Sequence, residues 1–364
     1  MLTNEIAANI VLETSLRLNR NINIMNEHGV IIASGDASRI GHIHEGALKV
    51  LKTGEILSIS VENAEVLKGS QPGINLPIVF QERIVGVIGI TGSPAEIQDF
   101  GGLVKMTTEL MIKQNFIITQ MEWKQRTKEM IIEELLKTEP SYNHIKLGLT
   151  LLKKQLDPPY VSCIIQIIEQ PIPNNTLIKN LEFILGEQPA IISFINIKRI
   201  FIALSECDPF EIENVFNRIA KELKRLKVTF RLSFSTLFNT LNKFSESYFD
   251  CELALNITDH KVEIIPYSKL EAKALIYKTE HVEAEKFAKR IINKTLEKYS
   301  ETLETFFDHN LNIQRTADAL FIHRNTLIYR LNKIQEETGY DPKLFRDALT
   351  LQIAIWAAKR VKND

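Results

Sequence analysis

Apolar positions in the first third of the chain switch between two rhythms. Ile6, Ile10, Leu12 and Leu16 recur near helical spacing, which predicts a helix within residues 1–20. "NINIM" and "VIIAS" then read as two β-rich runs around a turn at Glu27-His28-Gly29, a hairpin signal. "HIHEGALKVLKTGE" returns to helical spacing and stops near Gly54. "INLPIVF" and "RIVGVIGITG" read as two more strands, split by Gln81-Glu82-Arg83. After Pro94 a long helical pattern carries Leu103, Met106, Leu110, Ile117 and Met121 to about Leu136. Helix, hairpin, helix, sheet and long helix describe a small α/β sensor domain over residues 1–136, ending in a signalling helix.

"KTEPSYN", residues 137–143, is a polar break containing Pro140. Strand and helix patterns resume over residues 144–278, with strands expected at 160–168, 190–195, 199–204 and 229–235 and a loop at "IEQPIPNNT". From about residue 280 only helical spacing remains, and residues 300–362 read as an all-α domain. The expected fold is therefore multidomain α+β.

Composition adds limits. The chain has 364 residues, 45% of them hydrophobic and 24% charged, which suits two or three globular domains. A formal net charge of −1 means that any basic surface must be local. Cys163, Cys207 and Cys251 lie far apart among apolar neighbours, without zinc or redox spacing, so free buried thiols in a reducing cytoplasm are expected. The acidic, polar start does not resemble a signal peptide, and no apolar run approaches membrane-spanning length. No metal, cofactor or catalytic residue is expected.

"NIQRTADALFIHRNTLIYRLNKI" has helix-turn-helix spacing. Asn312 can cap a first helix whose inward face is Ala317 and Leu320. Phe321 and Ile322 occupy the turn, where a glycine is common. In the second helix Leu327, Ile328, Leu331 and Ile334 share one side, with Thr326, Tyr329 and Lys333 opposite and Arg330 on the flank. Arg324 can fork onto guanine, Asn325 can pair with adenine, and His323 can reach a base edge. Thr326, Tyr329, Arg330 and Lys333 suit phosphates. Between Ile313 and Ile334 four Lys/Arg face one acid, a local basic footprint. "ALFIHRNTLIYRLNKIQEETG" followed by "LFRDALTLQIAIWA" resembles the C-terminal DNA-binding domain of PucR-type bacterial transcription factors. The partner implied is an operator in double-stranded DNA, read by a homodimer or higher homo-oligomer.

"ASGDASRIGHIHEGA", "PGINLPI" and "VGVIGITG" concentrate a second chemistry. Arg39 precedes Gly41, His42 and His44 at the start of a helix, where free N–H groups favour anions. Gly86, Gly89 and Gly92 thin a strand beside Thr91, as close approach by a ligand would require. Turns and tight packing leave the same marks, and the residues alone keep both readings open. "NEHGVIIASGDASRIGHIHEGALKVL", "PGINLPI", "VGVIGITGSP" and "LVKMTTELMI" together resemble the sugar-diacid recognition domain of the carbohydrate diacid regulator (CdaR) family. That resemblance implies a PAS/Cache-like α/β sensor for a small carboxylate effector such as glycerate, glucarate or galactarate. The implied pocket maps onto Ser34, Arg39, Gly41, His44, Asn75, Gly89 and Thr91, with Arg39 clamping a carboxylate. Where relatives commonly carry a base before this segment, this chain has Gln71, which points to a smaller or less charged acid.

The middle region resembles the GGDEF-like domain of the same regulators. The expected hairpin turn, Asn196-Ile197-Lys198-Arg199, has neither the Gly-Gly nor the acids that a nucleotide cyclase needs for Mg²⁺, so a degenerate, non-catalytic coupling or dimerisation domain is expected. The resulting expectation is a cytoplasmic, ligand-responsive transcription regulator controlling genes for uptake or catabolism of its effector. The rivals are a nucleotide-cyclase-like signalling enzyme, and a DNA-binding protein whose N-terminal domain is only an interaction module.

Overall fold

A computed structural model describes residues 2–363. The chain forms two compact units, Met1–Arg126 and Thr127–Asp364.

In the first unit, helix α1 (Asn4–Leu18) is followed by strands β1 (Ile22–Met25) and β2 (Ile31–Ser34), then α2 (Glu45–Thr53). Next come β3 (Leu57–Ile59), α3 (Val61–Val66), β4 (Gly73–Phe80) and β5 (Arg83–Thr91). The strands make one antiparallel sheet in the order β2-β1-β5-β4-β3. The hairpins expected from the alternating pattern are both present. Short β3 and α3 carry too few periodic positions to be read in advance.

Strand alternation divides the sheet into two faces. Ile22, Ile24, Ile74, Leu76, Ile78, Ile88 and Ile90 pack against Ala7, Ile10 and Val11 of α1. The same core takes Ile97, Val104 and Ile112 of the long helix α4 (Pro94–Leu135). Glu109 on α4 accepts a hydrogen bond from the Val79 N–H of β4 at 2.8 Å. Met25, Ile31 and Val87 turn to the other face, against Ala47 and Val50 of α2. Beyond the sheet, α4 leaves an apolar stripe exposed: Leu103, Leu110, Ile117 and Met121.

The last turns of α4 belong to the second unit, where Ile131, Ile132 and Leu135 are buried in its core. Residues 136–141, within which most of the polar break falls, separate α4 from α5 (Tyr142–Leu152). The sheet of this unit uses β6 (Val161–Glu169), β7 (Ala190–Asn196), β8 (Arg199–Leu204), β9 (Thr229–Phe234) and β10 (Ile264–Pro266), in the order β10-β9-β6-β8-β7. Helices α6 (Asn174–Leu185) and α7 (Ile212–Arg225) complete a β-α-β-β-α-β arrangement, with α8 (Lys243–Ile257) on the opposite face. Three-residue β10 pairs parallel to β9 and escaped the sequence pattern. All three cysteines are buried and free, and burial pushes the Cys207 thiol up to about 12.

The chain ends in helices α9 (Glu271–Lys278), α10 (His281–Ile291), α11 (Lys294–Asp308), α12 (Ile313–Ala319), α13 (Arg324–Thr338) and α14 (Phe345–Asn363). Leu296, Leu303 and Phe306 of α11, Ala317 of α12, Leu327, Leu331 and Ile334 of α13, and Leu351, Ala354 and Ile355 of α14 form one core.

Candidate functional site

One row of residues crosses the first sheet in register: Ser34 opposite Asn23, Asn23 opposite Gly89, Gly89 opposite Asn75. All lie on one face, and Gly73 opposite Thr91 is the next position along on that face. Glycine is needed in the middle of the row, because a Cβ at Gly89 would stand 2.8 Å from Asn75 Oδ1. Two buried amides, Asn23 and Asn75, therefore flank a gap. Asn23 Oδ1 accepts from the Ser34 hydroxyl at 2.7 Å. Asn75 Oδ1 is buried with no hydrogen-bond partner, a costly state for an acceptor.

His44 and Arg39 overhang this floor. His44 is the N-cap of α2, only 3% exposed. Its Nδ1 accepts from Ala47 N–H at 3.1 Å, which puts the ring hydrogen on Nε2. Burial first, and the Arg39 charge second, lower its pKa to about 4, so near neutral pH it is an uncharged donor. Arg39 ends a short 3₁₀ turn, Ala37–Arg39, capped by Asp36. Its Nη2 donates to Gly69 O at 2.6 Å and its Nη1 to Gln71 Oε1 at 3.3 Å. The "RIGHIH" segment is pinned in turn by Gly41 N–H on Ile31 O, Ile31 N–H on His42 O, and His44 N–H on Gly29 O.

Asn23, Arg39, His44, Gln71, Gly73, Asn75, Gly89 and Thr91 thus line a cavity of about 10 Å³, room for one water. Five residues implied by sequence resemblance line it: Arg39, His44, Asn75, Gly89 and Thr91. Ser34 reaches it through Asn23. Gly41 does not line it; at φ +88 it shapes the loop that carries Arg39. Asn23 and Gly73 were missed. A polar residue inside "INIM", a strand buried along its whole length, was the available signal for Asn23.

In the second unit, α12 is capped by Asn312, whose Oδ1 accepts from Arg315 N–H at 3.0 Å. His323 caps α13 through Asn325 N–H at 3.1 Å. Arg324, Asn325, Thr326 and Tyr329 are exposed in its first two turns, with Asn325, Thr326 and Tyr329 turned away from the buried Leu327. Arg330 sits on the flank, where the spacing placed it. It lies 60° round the helix from Leu327, toward α11, and its Nη1 donates to the buried Thr302 Oγ1 at 2.9 Å. Its guanidinium also sits over the Tyr299 ring at 5.6 Å. Arg330 thus makes its contacts within the domain at the edge of the exposed face. Lys333 is half-buried and ion-paired with Glu337 at 3.1 Å and Glu336 at 3.5 Å.

The β7–β8 hairpin turns where expected. Asn196 Oδ1 accepts from Lys198 N–H at 3.0 Å, Ile197 is exposed, and Arg199 pairs with Glu252 of α8. Among the described residues no three His, Cys, Asp or Glu side chains converge as a metal ion needs, and no helix is long and apolar enough to cross a membrane.

Comparison with known proteins adds relatives. Residues 2–135 match the family model for sugar diacid recognition, and residues 299–357 match that of the PucR C-terminal helix-turn-helix domain. The chain is 30% identical to the carbohydrate diacid regulator of Escherichia coli K12, over 97% of each. It is 28% identical to the uncharacterised protein YsfB of Bacillus subtilis over 96% of each. A Haemophilus influenzae protein, also uncharacterised, is 28% identical over 95% of this chain and 96% of its own.

Proposed function

The chain belongs to the carbohydrate diacid regulator family, and on that premise we propose that it senses a hydroxylated carboxylic acid and controls genes for that acid's uptake or catabolism. The observation that carries this reading is the orphaned acceptor Asn75 Oδ1 in a cavity that also holds Arg39. Arg39 and the His44 Nε2–H supply donors for a carboxylate. Asn75 Oδ1 asks for a donor, and a hydroxyl on the same molecule supplies one. Glycerate, glucarate and galactarate carry both groups. The pocket residues are Arg39, His44, Asn75, Gly89 and Thr91, with Ser34 and Gly41 supporting them. The strand order β2-β1-β5-β4-β3 supports a PAS/Cache-like sensor.

Effector entry disturbs β4 at Asn75, and the next residue, Leu76, faces the core that includes α4. The helix carries the change into the second unit. There the β-α-β-β-α-β arrangement and the acid-free turn at Asn196 support a degenerate GGDEF-like, non-catalytic domain. A homodimer presents two α13 helices to a palindromic operator in cytoplasmic DNA, with His323, Arg324 and Asn325 at bases and Thr326, Tyr329 and Lys333 at phosphates. The deciding experiment is calorimetry of the full chain with glycerate, glucarate and galactarate against succinate, which has carboxylates but no hydroxyl. Binding of a hydroxy acid at least tenfold tighter than succinate is expected; equal affinities would remove Asn75 from recognition.

A further inference from the structure

The turn of the helix-turn-helix holds a residue that its backbone disfavours. Helix α12 ends in paired reverse hydrogen bonds: Ile322 N–H to Ala317 O at 3.0 Å and Phe321 N–H to Asp318 O at 3.1 Å. This is the Schellman closure, and its left-handed position normally takes glycine because a side chain there crowds the backbone. Phe321 occupies it, at φ +53. Among the described residues nine non-glycine residues have positive φ, and seven of them are polar. Leu311, the other apolar one, offsets the strain by packing on the core of its domain. Phe321 has no such compensation: it is 96% exposed. A strained, bulky, fully solvated aromatic gives the folded domain nothing in return, which is the pattern of a residue kept for function.

Its place in the chain suggests which function. Two residues later comes the His323 cap, followed by exposed Arg324, Asn325 and Thr326. We infer that Phe321 is a specificity-determining DNA contact, its ring packing on a thymine methyl next to the bases read by the first turn of α13. Phenylalanine has no hydrogen-bonding group. The one apolar group that a base pair offers in the major groove is the thymine C5 methyl, so only thymine rewards this side chain. The inference rests on the DNA-binding reading above and adds one base to the site.

The test uses full-length wild type, Phe321→Gly, Phe321→Asn and Arg324→Ala, each selecting duplexes from a randomised pool. Both Phe321 variants suit the left-handed position, so their thermal midpoints should equal or exceed the wild type's by a few degrees. The wild-type consensus should contain a thymine flanking each half-site, and both variants should lose it. Their affinity for the wild-type duplex should fall about tenfold while affinity for scrambled duplex holds. Replacing that thymine with uracil, which removes only the methyl, should weaken wild type and leave the variants unchanged. An unaltered consensus and affinity in both variants, with Arg324→Ala still impaired, overturns the inference and leaves the DNA-binding reading standing. Equal loss on selected and scrambled duplex also overturns it, because the ring would then be packing on sugar. No enrichment by wild type would sink the DNA-binding reading itself.

Discussion

The sensor cavity and the recognition helix solve opposite problems. The cavity hides its polar groups. His44, Asn23 and Asn75 are almost wholly buried, and they come from three separate elements around a glycine. The helix displays its polar groups: Arg324, Asn325, Thr326 and Tyr329 are exposed within six residues. A buried polar group is useful only when every partner is in place, so on the proposed function the cavity would respond steeply to a molecule that completes it. An exposed group is already solvated, so each contact with DNA adds a modest, separable increment. The cavity is suited to switching and the helix to reading.

The largest expected effect should break the two apart. Arg39→Ala should weaken effector binding about ten- to a hundredfold, a loss of roughly 1.5–3 kcal/mol, and leave operator affinity unchanged. Calorimetry and a gel-shift titration on one preparation check both halves. A parallel loss of DNA affinity in folded protein would erase the distinction.

Acid should act on the cavity next. The folded-state pKa of His44 is depressed to about 4. Between about pH 6.5 and 4 the unfolded chain binds a proton that the folded unit refuses, so stability is lost as pH falls through that window. A loss of about 2 kcal/mol is expected in urea unfolding of the first unit. His44→Asn keeps an N-cap without a titrating group and should flatten that slope. An identical slope in His44→Asn would show that another group is titrating.

Arg324→Ala sharpens the other side. It should cost about 1–3 kcal/mol on the selected duplex and little on scrambled DNA. Arg330→Met should cost about 1 kcal/mol of stability, through Thr302 and Tyr299, and leave the salt dependence of DNA binding unchanged. A salt slope shallower by about 0.9 per subunit would return Arg330 to the phosphates. Lys333→Ala should give the smallest change, a partial flattening of that slope, since Glu336 and Glu337 already share its charge.

Legibility in the sequence follows the same division. The helix-turn-helix lies within one stretch, so spacing alone located its cap at Asn312, its buried stripe and its exposed first turn. Spacing placed Arg330 on the flank but could not show its contacts there, because Thr302 and Tyr299 sit on another helix. The cavity is assembled by strand register, which spacing does not encode. Arg39 and His44 announced themselves beside a helix start, and Gly89 as a gap in a strand. Asn23 became meaningful only when β1 was paired with β5, which sets it opposite Gly89. Four of the five strands in the first unit and most of the second sheet were visible in the apolar rhythm. Three-residue strands such as β3 and β10 gave no rhythm to follow.

The orphaned oxygen of Asn75 has a consequence for the amount of protein as well as its activity. An unpaired buried acceptor costs about 1–3 kcal/mol, and an effector hydroxyl that pairs with it returns that energy to the fold. The empty regulator is then the form that opens more often, and opening exposes a chain to proteolysis. Cells lacking the effector would clear the protein faster, and cells supplied with it would accumulate it. Supply of the acid would set the half-life of its own sensor, a form of memory that outlasts each binding event.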